Sequence, residues 1–221
     1  LVGSEMCIRD RTVTAIRTGE ETGSGTSGTV STPLTGTYGT LTLNPDGSYA
    51  YVADQPLADT LAAGETAVET FTYTVSDGEG GFDTAELNIT VTGTNDAPIC
   101  AAGQATTLED TAYVYTLADF NFSDVDNSNT LSIVRIESLP LDGTLLLNGV
   151  AVTSSQEISA ADISAGNLTF NPDLHESGDD DFSSVGTGDQ QTDYAAFDFS
   201  VSDGTAWSLS LIHISEPTRP R

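Results

Sequence analysis

The chain has 221 residues, 33 of them acidic and 6 basic, with a formal net charge of -27 at pH 7. So few cations argue against nucleic acid or anionic membranes as partners, because both are held by lysine and arginine, and the surplus of carboxylates favours cations instead. Thr, Gly, Asp and Ser outweigh the helix formers, which points to an all-β protein, and no run of about eighteen apolar residues offers a membrane-spanning helix. An acidic surface also serves solubility, so a cation site has to be recognised by the position of its carboxylates rather than their number.

The two ends are set aside from fold reasoning. Leu1–Asp10 can be back-translated as CTC GTG GGC TCG GAG ATG TGT ATA AGA GAC. The reverse complement of that string, extended by two bases, translates as Leu-Ser-Leu-Ile-His-Ile-Ser-Glu-Pro-Thr-Arg, which is Leu209–Arg219. Unrelated termini are not complementary in this way, and both ends resemble a sequencing adapter read through in translation. Residues 1–11 and 209–221 are therefore treated like fusion scars. Met6 and Cys7 go with them, a Cys7–Cys100 disulfide is rejected and Cys100 stands alone. Only Arg17 and Arg135 remain as cations.

In chain order, Thr12–Arg17 reads as a short strand, followed by a Gly/Ser/Thr-rich loop. Gly36 to Tyr51 gives two strands round an Asn44-Pro45-Asp46-Gly47 turn, with Leu41 and Leu43 facing Tyr49 and Tyr51. Leu57 and Leu61, four apart in Leu57–Ala63, suit a helical turn over the core. Phe71, Tyr73 and Val75 alternate with threonines, and Ala85, Leu87, Ile89 and Val91 alternate with polar residues, so Phe71–Val91 is a hairpin round Asp77-Gly78. Strands are expected next at Thr111–Leu117, Leu131–Ile136, Gly143–Leu147, Leu168–Phe170 and Ala196–Val201.

The chain repeats itself. Phe71-Thr72-Tyr73-Thr74-Val75-Ser76-Asp77-Gly78 matches Phe197-Asp198-Phe199-Ser200-Val201-Ser202-Asp203-Gly204, and Gly39-Thr40-Leu41 matches Gly143-Thr144-Leu145. The expected organisation is a first repeat at 12–93 lacking its beginning, a linker at 94–98, and a second repeat at 99–208 lacking its end. Short strands at even spacing with turn signals predict an all-β fold of tandem Greek-key β-sandwiches.

Gly36–Leu43, Gly47–Tyr51 and Phe71–Pro98 resemble the VCBS-type repeat, named for Vibrio, Colwellia, Bradyrhizobium and Shewanella, of very large bacterial surface and repeats-in-toxin proteins. Leu108-Glu109-Asp110-Thr111, Asp124-Val125-Asp126, Leu139–Leu145 and Ser202-Asp203-Gly204 resemble bacterial cadherin-like repeats of the same adhesins. The resemblance implies calcium where consecutive repeats meet, since a hard divalent cation takes six to eight oxygens. Carried over, Asn95 and Asp96 are linker ligands, Asp124 and Asp126 the paired carboxylates of the second repeat, and Asp203 the carboxylate of its Ser-Asp-Gly turn. Asp77 serves the preceding joint and Glu109 the following one. Gly93 stands where the cadherin linker has an aspartate, so fewer and weaker ions are expected. For each carboxylate the competing reading is a turn or cap.

Other features carry less. Glu176–Asp181 reads first as a solvated acidic loop, with a local calcium site as its sharper reading. His175 lies in that loop, and the chain has no nucleophile elbow, zinc helix, glycine loop before a helix or paired-cysteine site, so no enzyme is expected. The sequons at Asn88 and Asn167 fall on strands and are not expected to carry glycans. The resemblance implies an adhesive or spacer region of a secreted bacterial cell-surface protein, stiffened by calcium and acting in cell adhesion or biofilm formation. Its partners would be calcium, neighbouring repeats and surface glycans or other cells. The alternative is a non-catalytic spacer or targeting module of a large extracellular polysaccharide-active enzyme.

Overall fold

In a computed structural model of the chain, residues 11–108, 110–174 and 195–208 are described, together with the backbone of 211–218. The polypeptide divides into two compact units, Leu1–Asn95 and Asp96–Arg221, and both are built almost wholly of antiparallel β-sheet, as a cadherin-like β-sandwich requires.

The first unit runs β1 (Thr12–Thr18), β2 (Ser27–Gly28), β3 (Leu34–Thr35), β4 (Thr40–Leu43), β5 (Tyr49–Val52), a single helical turn α1 (Pro56–Asp59), β6 (Thr66–Ser76) and β7 (Phe82–Thr92). One sheet has the order β2-β1-β6-β7 and the other β3-β4-β5. The β4–β5 hairpin pairs Leu41 with Tyr51 and Leu43 with Tyr49, the expected register. Its turn is set by Gly47 at φ +85, and by Asp46, whose Oδ1 accepts the Ser48 N–H at 3.0 Å. Val13, Ile16, Leu34, Leu41, Leu43 and Phe71 form the core. The helical turn is shorter than expected and starts at Pro56. Leu61 is buried after it ends, while Leu57 faces solvent, so only one of the two leucines covers the core.

One buried charge ties the two sheets of this unit together. Glu69 of β6 is 5% exposed. Its carboxylate accepts the N–H groups of Thr37, Tyr38 (3.3 Å) and Gly39 (3.2 Å), and the Tyr51 hydroxyl at 2.6 Å. The Gly36-Thr37-Tyr38-Gly39 turn can close on it because a Cβ on Gly36 would collide with the carboxylate itself, and one on Gly39 with Tyr51.

The second unit runs β8 (Gln104–Leu108), β9 (Tyr113–Val114), a 3-10 turn (Leu117–Phe120), β10 (Ile133–Ile136), β11 (Thr144–Leu147), β12 (Val150–Ala151), β13 (Gln156–Ser159), α2 (Ala160–Ser164), β14 (Leu168–Asn171), β15 (Ala195–Ser202) and β16 (Leu211–Thr218). Its sheets are β13-β10-β15-β16-β8 and β12-β11-β14-β9. Between them Tyr115, Phe120, Phe170, Phe197 and Phe199 build an aromatic core, with Phe120 and Phe199 edge-to-face at 5.2 Å. Cys100 is half-buried against this core, and burial pushes its thiol up.

Two differences from expectation have local causes. The strand expected over Thr111–Leu117 shrinks to Tyr113–Val114, because Thr116 and Asp119 form a capping box that starts a helical turn at Leu117. The run Leu211–Thr218, set aside on nucleotide grounds, lies in the sheet, antiparallel to β15 and parallel to β8. Main-chain pairing asks only for an extended stretch beside an open edge, which an alternating run supplies.

Candidate metal centre

The loop between Phe120 and Ile133 holds the expected carboxylate pair. It is pinned at its start by an antiparallel bridge in which Ile99 and Ser123 exchange N–H···O bonds of 2.8 and 2.9 Å. The bridge brings the extended segment 96–99 alongside 123–126. Asp96 then donates its backbone N–H to Asp126 Oδ2 at 2.9 Å.

Asp126 is 4% exposed and Asp124 half-buried. Each spends one carboxylate oxygen on the loop. Asp126 Oδ2 also accepts the Asn129 amide at 3.1 Å, and Asp124 Oδ1 accepts the Asp126 N–H at 2.9 Å. The other oxygen of each, Asp124 Oδ2 and Asp126 Oδ1, is buried and has no hydrogen-bond partner. A buried carboxylate oxygen without a donor forfeits its hydration and costs about 1–3 kcal/mol or more. Two such oxygens, two residues apart in one loop, match the chemistry of a hard cation. Among the described residues no three His, Cys, Asp or Glu side chains gather round one point, so a cation here would complete its shell with amide or carbonyl oxygens and water.

The remaining expected ligands divide. Asp203 turns its Oδ1 to the N–H groups of Thr205 (2.6 Å) and Ala206 (2.8 Å), and Asp77 does the same for Glu79 (2.9 Å) and Gly81 (2.8 Å). These are turn carboxylates, and the bonds from Glu79 and Gly81 hold Asp77 below the usual carboxylate range. Asn95 closes the first unit and is half-buried. Glu109, His175 and the run 176–181 lie outside the described residues.

Sequence reasoning missed Asn129, whose carboxamide fixes Asp126, although Asn at i+3 from a loop aspartate is a visible signal. It also missed why position 93 is glycine. Gly93 donates to Glu65 O at 2.8 Å, its own carbonyl accepts Gly64 N–H at 3.1 Å, and a Cβ there would run into the Leu61 and Ala62 carbonyl oxygens. Backbone crowding therefore excludes the cadherin-type aspartate.

The second unit also carries the chain's only tryptophan. Trp207 follows the Asp203 turn, and Arg135 lies over its ring at 4.3 Å while its Nε donates to Glu137 at 2.7 Å.

Residues 9–93 match the family described as the bacterial cadherin-like domain. That likeness falls on the first unit, whereas the cadherin-like motifs quoted above lie in 99–208. A calcium-binding lectin of Rhizobium johnstonii, RapA2, is 42% identical over 65 residues, covering 29% of this chain and 26% of the relative, so the chain spans about a quarter of that protein's length. A cadherin-like domain and a lectin are both binding modules, and the two likenesses together fit an adhesive repeat region.

Proposed function

We propose that this chain is a stretch of a calcium-stiffened adhesive region of a large secreted bacterial surface protein, with a VCBS-type first unit, acting in cell adhesion or biofilm formation. The adapter-like ends 1–11 and 209–221 are, on the same reading, foreign to it. The observation that carries the proposal is the pair of buried, unpartnered oxygens Asp124 Oδ2 and Asp126 Oδ1 in a chain of net charge -27. Asp124 and Asp126 would hold the ion directly, with Asn95 adding a carboxamide oxygen; Asp96 and Asp203, which among the described residues do not gather with that pair into a three-carboxylate cluster, would add theirs only after the linker and the Asp203 turn rearrange round calcium. Asp77 and Glu109 would play the matching part at the neighbouring joints.

Calcium would neutralise carboxylates that repel one another and fix the entering segment 96–99 against the loop. Extracellular calcium modules work at about 10⁻⁴–10⁻³ M, which external fluids supply and the cytosol does not. The region would therefore stiffen only after export. The likeness to a calcium-binding lectin supports surface glycans as the adhesive target.

The test is a thermal melt of the full chain in calcium, in magnesium and in EGTA, followed by Trp207 fluorescence and circular dichroism. Calcium at about 1 mM should raise the melting temperature of the second unit by several degrees, and Asp126→Asn should abolish the rise. A melt indifferent to EGTA would sink the proposal.

A further inference from the structure

We propose that the outer face of β13, β10 and β15 in the second unit binds a neutral hexose polymer, with Trp207 stacked on one sugar ring and Arg135 and Glu157 bonded to its hydroxyls. This gives the surface-glycan target proposed above a seat, and rests on that reading.

Register sets the face. Val134, Ile136, Phe199 and Val201 turn into the core, so the residues that alternate with them turn outward. Arg135 stands opposite Ser200 on one side and opposite Glu157 on the other. Trp207 reaches the same face through its bridge to Ser202. Ser200 and Ser202 are 1% and 2% exposed although they point away from the core, so side chains lie flat over this surface.

Those side chains are held in place. Glu137 Oε1 accepts the Ser200 hydroxyl at 2.6 Å and Arg135 Nε at 2.7 Å, and the guanidinium lies over the indole at 4.3 Å. The turn before Trp207 is closed by its own bonds, with Ser202 Oγ accepting the Gly204 N–H at 3.0 Å and Asp203 Oδ1 those of Thr205 and Ala206. Groups fixed in advance lose little freedom when a ligand arrives. The indole remains part-exposed and Glu157 is exposed. The Arg135 side chain is 31% exposed, and among the described residues its two η nitrogens meet no acceptor.

The first unit repeats the device. Ser76 Oγ accepts the Gly78 N–H and Asp77 Oδ1 those of Glu79 and Gly81, and the turn ends on Phe82, opposite Ser76 as Trp207 is opposite Ser202. Phe82 is 70% exposed. A single exposed aromatic is ordinary on a protein surface. The same turn presenting one at the same register position in both repeats is not explained by that.

The chemistry selects the occupant. An indole offers an apolar, electron-rich surface to the C–H groups of a pyranose ring. A guanidinium only donates and a carboxylate only accepts, and a sugar hydroxyl can satisfy both. Arg135 is this face's one cation among the described residues, already paired with Glu137, and Glu157 and Asp198 share the face with it. The local charge is therefore negative, in a chain of net charge -27, and uronate or sulfate polymers are repelled.

The test titrates the full chain in EGTA with cellohexaose, mannohexaose and galactohexaose, and with an alginate hexamer as the acidic control. Trp207 fluorescence and titration calorimetry are followed. At least one neutral hexaose should shift the emission and bind with a Kd of about 1 mM or tighter. Trp207→Ala should weaken binding at least about tenfold, and Trp207→Phe and Glu157→Gln about threefold each. Only variants that keep the parent's circular dichroism are compared. No binding of any neutral hexaose, preference for alginate, binding that appears only in calcium, or unchanged affinity in every folded variant would overturn the proposal. The calcium-dependent melt is independent of these results, so a failure here leaves the calcium reading standing. Sugar binding beside an EGTA-indifferent melt would sink that reading alone.

Discussion

Replacing Glu69 by Gln isolates the buried charge that holds the sheets of the first unit together. The carboxylate accepts from Thr37, Tyr38, Gly39 and the Tyr51 hydroxyl at 5% exposure. Glutamine keeps the shape and one acceptor oxygen, but turns an amide N–H₂ toward donors. At least one backbone N–H and the Tyr51 hydroxyl then lose their acceptor, at about 1–3 kcal/mol for each buried group left unsatisfied. We expect a loss of about 2–4 kcal/mol, against a total stability of roughly 4–12 kcal/mol for a unit of this size.

At about 4–8 °C per kcal/mol, the first unit should melt at least about 8 °C lower. Circular dichroism reports both units, whereas Trp207 lies in the second, so its fluorescence serves as an internal control. Tyr51→Phe removes one donor and should cost about 1 kcal/mol. The double variant should fall short of the sum, because both changes break one network. A Glu69→Gln variant whose first-unit transition moves by less than about 2 °C, or whose tryptophan transition moves with it, would refute the reasoning.

Three further outcomes are expected. Asp126→Asn in EGTA should raise the stability of the second unit by about 1 kcal/mol, since the lone oxygen loses its charge, while the same variant loses the response to calcium; a urea titration with and without calcium reads both signs. Gly93→Asp, which restores the cadherin linker residue, should destabilise the first unit by about 2 kcal/mol or more through collision with the Leu61 carbonyl, and a calorimetric scan would show it. Stability should also fall at both ends of the pH range. Burial and the bond to Asp119 push Tyr113 up to about 12, so its contribution is complete below pH of about 10 and is lost as pH rises to about 12. The Ser200 hydroxyl, and then Arg135, hold Glu137 below its ordinary value, so its contribution is present above that value and is lost as pH falls through the lowered one. A pH series of melts that is flat across both windows would contradict this assignment.

Much of the fold was legible because its strands alternate. The β4–β5 register and the long β6–β7 hairpin follow from the spacing of Leu41, Leu43, Phe71 and Leu87, with Asp-Gly turns between. The elements that escaped lack that signal. β2, β3 and β12 have two residues each, too few for a period. Gln104–Leu108 is mostly polar and buries only Ala105, too little apolar alternation to read as a strand. The capping box at Thr116 was readable as Thr-x-x-Asp, yet the apolar alternation around Tyr113 and Tyr115 competed with it.

The candidate site separates residue type from environment. Asp77, Asp203, Asp124 and Asp126 all read as acidic turn residues, and the first two remain so, with one oxygen closing an Asx turn. What distinguishes Asp124 and Asp126 is that one oxygen of each is buried without a donor, in a loop that the Ile99–Ser123 bridge and the Asp96 N–H bond to Asp126 hold beside residues 96–99. The links that hold this loop join residues as far as 30 positions apart, so no local window contains them. The same logic explains Gly93: its small size records how closely residues 61–65 approach, a fact of packing to which the linker motif is blind. In this chain the pair Asp124 and Asp126 is thus set apart from the other acidic turn residues by a buried oxygen on each that no donor reaches.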